Sequence, residues 1–158
     1  MSINVNSAGL VTAPARWHSW AMDEIRMVIG EAVFRGRLER AAAPLTCAAF
    51  EALLPYADQL IHARWSGEAC WVPMGELDLA LGRENATGEP RPGQILLHPA
   101  GISETEILVP YGAVRFASVA GPLVGNHFLT LEDDLERLAA AGRGTLQHGA
   151  APIRFERG

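Results

Sequence analysis

The sequence predicts a mainly β domain, and three features carry that prediction. Short apolar or alternating runs recur about eight times along the chain, Gly and Pro punctuate the gaps, and only two stretches keep a helical period. Many short strands separated by turn residues read as a sandwich or a barrel, and periodicity alone does not choose between the two.

Residues 1–21 mix small, polar and Pro residues with Trp17 and Trp20 without a sustained period. They read as a flexible N-terminal tail ahead of a domain at 22–158. Ile25 to Ile29 is apolar and partly β-branched, and Ala32 to Glu39 alternates after Gly30-Glu31, so the two predict a hairpin. Residues 43–54 change period: Pro44 suits a first helical turn, Cys47, Phe50, Leu53 and Leu54 recur at helical spacing, and Pro55 ends the run. Strands are expected at Gln59 to Ser66 and Glu68 to Val72, followed by a long loop from Gly75 to Pro92. Further strands are expected at 94–99, 105–109, 114–119 and 127–131. Leu131 to Ala141 predicts the second helix, with acidic residues at its start and Gly142 as its stop. Pro152 to Glu156 would form a closing strand. The expected core includes Phe34, Phe50, Leu53, Ile61, Trp65, Ile95, Leu97, Ile107 and Phe116.

Composition narrows the partners. The net charge is −5, and all thirteen cationic residues are Arg with no basic run, which argues against nucleic acid. No apolar run approaches the ~18 residues of a membrane span, and the N-terminus does not read as a signal peptide, so no membrane partner and a cytoplasmic location are expected. Cys47 and Cys70 lie far apart without a C-x-x-C pair and read as free buried thiols. No His-x-x-x-His or His-x-Glu spacing supports a metal site, and no motif implies a cofactor.

Four blocks carry a resemblance: His62-Ala63-Arg64-Trp65-Ser66-Gly67-Glu68-Ala69-Cys70-Trp71, Glu84-Asn85-Ala86-Thr87, Gly101 to Leu108, and Gly125-Asn126-His127-Phe128. In this order they resemble a domain-of-unknown-function family of small bacterial proteins with a cyclophilin-like fold. Ala100, Gly88-Glu89 and Val119 depart from that family's usual residues. The resemblance implies a closed eight-stranded barrel capped by two helices, and it implies no activity.

The charged and aromatic residues of these blocks form the candidate ligand site: His62, Arg64, Glu68, Trp71, Glu104, Glu106, Tyr111 and His127. On a strand, His62 and Arg64 would share one face, with Ile61, Ala63 and Trp65 on the core side, and Glu104 and Glu106 would likewise share a face. Arg64 would hold a carboxylate bidentately beside Glu68 and Glu104, with a Glu or His as base or orienting group. The competing account makes these residues solvated charges in weak surface pairs.

Two classes of function stay open. One is a small-molecule-binding protein, enzyme or enzyme partner subunit for a polar carboxylate or amide metabolite. The other is a non-catalytic assembly module making homo-oligomer contacts. Peptidyl-prolyl isomerase activity is weaker still: Ala63 separates His62 from Arg64, which cyclophilins hold adjacent, and the rest of their active-site text is missing.

Overall fold

A computed structural model of the chain describes residues 22–158, and the expected tail lies outside them. Eight strands close into an antiparallel barrel: β1 (Glu24–Ile29), β2 (Ala32–Leu38), β3 (Tyr56–His62), β4 (Gly67–Pro73), β6 (Gln94–His98), β7 (Glu106–Val114), β10 (Gly125–Leu131) and β11 (Ala151–Arg157). The order round the barrel is β2-β1-β11-β3-β4-β7-β6-β10, and β10 pairs back onto β2 to close it. The closure is tight: Gly36 stands opposite Leu131, where a Cβ would approach the Thr130 carbonyl oxygen to 2.9 Å. Short strand β5 (Ala86–Thr87) adds to β10, and β8 (Ala117–Ser118) pairs with β9 (Gly121–Pro122) as a small hairpin.

Helix α1 (Pro44–Glu51) joins β2 to β3, and α2 (Leu135–His148) joins β10 to β11. Because β11 runs antiparallel to β3, with Ala151 opposite Leu60, the start of β11 lies at the end of β3. The helices therefore close opposite ends of the barrel. From α1, Phe50 enters the core with its ring centroid 4.7 Å from that of Phe128 and 5.3 Å from that of Phe155. Ala43 provides no side-chain cap for α1, so a distant carboxylate does. Glu84 accepts from the Leu45 amide (3.1 Å), the Thr46 amide (2.8 Å) and the Thr46 hydroxyl (2.7 Å). Burial opposes the Glu84 carboxylate, but these three donors outweigh it and hold its pKa below the ordinary range.

Helix α2 starts later and runs further than its sequence period suggests. Leu131 belongs to β10, and Asp134 caps the helix by accepting from the Arg137 amide at 3.0 Å. Gly142 lies inside it. A Cβ there would meet Tyr111 Cδ1 at 2.2 Å, so this glycine admits the Tyr111 ring against the helix backbone. Strand β7 also extends past its expected end, through Pro110, which pairs with Ala69 beside a break in the β4 register. Phe116 falls between strands, so the expected strand at 114–119 is replaced by the end of β7 and by β8.

The barrel carries two apolar clusters. The interior gathers Phe34, Phe50, Leu60, Ile95, Leu97, Ile107, Phe128 and Phe155. A second cluster lies on the outer face of β4, β7 and β6, where Ala69, Leu96, Leu108 and Leu123 pack with Phe116 and half-buried Trp71. Of the expected core, Leu53 and Ile61 are only half-buried and Trp65 is exposed. Ile61 and Trp65 depart because β3 turns Leu60 and His62 inward, which puts Ile61 and Ala63 on the outer face, and residues Arg64–Ser66 then leave the strand as a 3₁₀ turn that exposes Trp65.

Candidate functional site

The outer-face cluster sets up the site. Along β7, Ile107, Val109 and Tyr111 point into the barrel, while Glu106 and Leu108 point outward. Glu106 stands opposite Pro73 on β4 and opposite His98 on β6. It is only 3% exposed, and no hydrogen bond or ion pair to another described residue satisfies its carboxyl. Burial, reinforced by the neighbouring Glu104 carboxylate, pushes its pKa up to about 7. A neutral Pro on one side and an imidazole on the other offer no fixed cation to reverse that effect.

Glu106 lies in a cleft of 370 Å³ whose walls are Trp65, Trp71, Ser103, Glu104, Ser118 and Val119. The two indoles meet edge to face, with centroids 5.5 Å apart at 79°. The Trp71 indole nitrogen is buried without a hydrogen-bond partner among the described residues. One cleft thus combines aromatic walls, an N–H donor with nothing to donate to, and a carboxyl that changes charge near neutrality. Such unmet buried polar groups are rare in native structures and concentrate at sites of function.

Of the eight residues expected at the site, Trp71, Glu104 and Glu106 come together here. The rest go elsewhere. His62 lies on the same side of β3 as buried Leu60, and its Nε2 shares a 2.7 Å hydrogen bond with the Tyr111 hydroxyl beneath α2. The expectation that it faces away from the barrel interior is therefore corrected. Burial, and secondarily the Arg64 charge, lower the His62 pKa. Glu68 accepts from the Ala113 amide at 3.1 Å and braces β7 against β4. His127 donates to Thr130, which in turn donates to Glu39 (2.8 and 2.6 Å), and burial lowers its pKa against the pull of Glu39. Arg64 is exposed on the 3₁₀ turn, does not line the cleft, and forms no ion pair with Glu68 or Glu104 among the described residues. The carboxylate anchor expected of it is absent from this cleft.

Sequence reasoning missed Trp65, Ser103, Ser118 and Val119 as cleft residues and His98 as the neighbour of Glu106. Alternation through Leu96-Leu97-His98 could have put His98 on the face opposite Leu97. No sequence signal brings β8 and β9 over that face. Among the described residues, no group of three His, Cys, Asp or Glu side chains has metal-binding geometry, and no helix is long and apolar enough to cross a membrane.

Fold and site together define a closed eight-stranded barrel with a cleft on its outer face. The chain belongs to the family described as "Protein of unknown function (DUF3830)", the match spanning residues 25–157. Among solved structures it is similar in fold to McbB in complex with tryptophan (TM-score 0.66, 16% identity), over 84% of this chain and 44% of McbB. The chain thus spans less than half of McbB. It is also similar to the hypothetical protein AF2241 from Archaeoglobus fulgidus, known in solution (TM-score 0.57, 16% identity), over 88% of this chain and 97% of AF2241. No curated protein matches the sequence.

Proposed function

We propose that the Trp65–Trp71 cleft binds a small molecule that presents a primary amide or an ammonium group on an apolar body. The observation that carries this reading is the Glu106 carboxyl, buried and unpaired in a cleft whose other unmet group is the Trp71 indole N–H. An amide answers both, its N–H donating to Glu106 and its carbonyl accepting from Trp71. An ammonium group answers the ionised form of Glu106 and the aromatic faces. A carboxylate can accept from Trp71 but is repelled by Glu104 and by ionised Glu106, and no Arg lines the cleft to offset this. McbB was solved with tryptophan, which carries an ammonium group and a carboxylate on an aromatic body, so an aromatic amine and an aromatic carboxylate make informative first probes.

The test compares phenethylamine, 3-phenylpropionamide and 3-phenylpropionate by calorimetry and by backbone amide shifts. The amine and the amide should bind and shift Trp65, Trp71, Ser103 and Glu104, while the carboxylate should not. Preference for the carboxylate, or shifts remote from these residues, would overturn the reading.

A second reading, an assembly surface, draws on Trp65 (53% exposed) and Val119 (110%) at the cleft mouth. Sedimentation equilibrium separates the two. If the chain self-associates and Trp65→Ser abolishes association, the cleft is an interface between copies.

A further inference from the structure

A second cleft, of 260 Å³, shares no lining residue with the first. It lies under the first half of the β6–β7 loop, and Arg83, His98, Ile102, Leu123, Val124 and Asn126 are among its walls. We propose that it binds a small hydroxy acid, whose hydroxyl donates to His98 Nε2 and whose carboxylate pairs with Arg83.

His98 supplies the first half of this assignment. The residue is 7% exposed, and its Nδ1 donates to the Val124 carbonyl at 2.8 Å. That bond fixes the neutral tautomer, leaving a bare lone pair on Nε2. Nε2 is itself buried and has no hydrogen-bond partner. Its ring neighbour Phe116, edge-on with centroids 5.9 Å apart, has no donor to offer, and Glu106 across the ladder makes no hydrogen bond to it. An acceptor left bare in such a place is satisfied by a ligand O–H.

Arg83 supplies the second half. It is exposed and forms no ion pair with any described residue. Its backbone is nevertheless held in place, because Asn126 clamps the residues on either side. Asn126 Nδ2 donates to the Gly82 carbonyl at 2.9 Å, and the Glu84 amide donates to Asn126 Oδ1 at 3.0 Å. Asn126 is 1% exposed and also donates to Thr46, so the clamp is tied into the cap of α1. The residues at and just before the start of β10 therefore hold both parts of the cleft, Val124 through His98 and Asn126 through the backbone on either side of Arg83. A cation on a fixed backbone in the same cleft wall as a bare acceptor matches a molecule with a carboxylate and a hydroxyl. An amino acid fits less well, because its ammonium group would lie beside Arg83. The volume falls below the roughly 300 Å³ at which drug-sized pockets begin, so the ligand has few heavy atoms.

The experiment titrates sodium L-lactate and sodium propionate into isotopically labelled protein and follows backbone amide shifts. Lactate should shift Gly82, Arg83, Gly101 and Val124 and bind about tenfold more tightly than propionate, which lacks the hydroxyl. Arg83→Gln should weaken both ligands about tenfold. His98→Phe keeps an apolar ring beside Phe116 and should erase the difference between them. Should His98→Phe fail to fold, the lactate–propionate comparison on the unaltered chain and the exposed Arg83→Gln variant still decide the matter. Equal affinity for lactate and propionate, no saturable shift at this cleft, or shifts at Trp65 and Trp71 instead would overturn the proposal.

Discussion

Glu106 and His98 face each other as direct partners across the β6–β7 ladder, on the side of the sheet turned away from the barrel interior. Each is more than nine-tenths buried, and each lies in a different cleft. The pair marks a polar seam in an outer face otherwise packed with Leu96, Leu108, Phe116 and Leu123. Its first consequence is for stability.

In the folded chain Glu106 titrates at about 7, against an ordinary value of 4.5. Below pH 4.5 both folded and unfolded chains hold the proton, and the group has no net effect. Between 4.5 and 7 the folded chain keeps a proton that the unfolded chain has released, so stability falls as pH rises. Above 7 the full cost applies, on the order of 3 kcal/mol. Glu106→Gln should therefore match the parent near pH 4.5 and exceed it at pH 8 in urea denaturation. Parallel pH profiles would contradict this.

The same titration sets the ligand preference. As Glu106 ionises, the Trp-walled cleft should gain affinity for phenethylamine between pH 6 and 8, roughly tenfold, while neutral 3-phenylpropionamide changes less. Calorimetry at the two pH values checks this, and an amine affinity independent of pH would count against Glu106 as the partner.

Two glycines of α2 should respond in opposite directions to alanine. Gly142→Ala gains helix propensity but drives a methyl into Tyr111, and should destabilise by about 1–3 kcal/mol. Gly144 has open space around its Cβ position, so Gly144→Ala should stabilise by about 0.5–1 kcal/mol. Urea midpoints of both variants measure the contrast.

The remote cap on α1 should be worth as much as a local one. Glu84→Ala leaves the Leu45 and Thr46 amides unanswered and should cost about 1–2 kcal/mol, with faster hydrogen exchange in α1. Since Glu84 is held below its ordinary pKa, its contribution is present above the ordinary carboxyl range and is lost as pH falls through the folded value. The gap between parent and variant should shrink in acid accordingly.

Phe50→Ala should cost about 3–5 kcal/mol, because Phe50 has no exposed surface and contacts both Phe128 and Phe155. A thermal or urea unfolding curve that barely moves would mean that α1 does not close the barrel through this ring.

By itself the sequence determined the eight barrel strands, the two helices and the interior places of Phe34, Phe50, Ile95, Leu97 and Ile107, since these follow from local period and turn chemistry. Alternation placed Ile95 and Leu97, and Ile107 with its β7 neighbours, on faces the fold retains. It also put Glu104 and Glu106 in one block with Trp71 close by in chain order. Where local rules failed, a distant partner had intervened. Gly142 looks like a helix stop until Tyr111 packs against it, and Trp65 looks like core until Leu60 and His62 take the inward face of β3 and leave Ile61 and Ala63 outside. Glu84, sequence text for a loop, becomes the cap of a helix thirty-eight residues upstream. The largest surprise was a second apolar face. Period-two text assigns one side of a strand to the core and the other to water, and it cannot tell when a hairpin such as β8–β9 and residues like Phe116 and Leu123 cover the watery side as well. Only tertiary closure decided that Glu106 is buried, that Arg64 stands apart, and that His98 faces Glu106, because burial and charge coupling depend on which strands become neighbours.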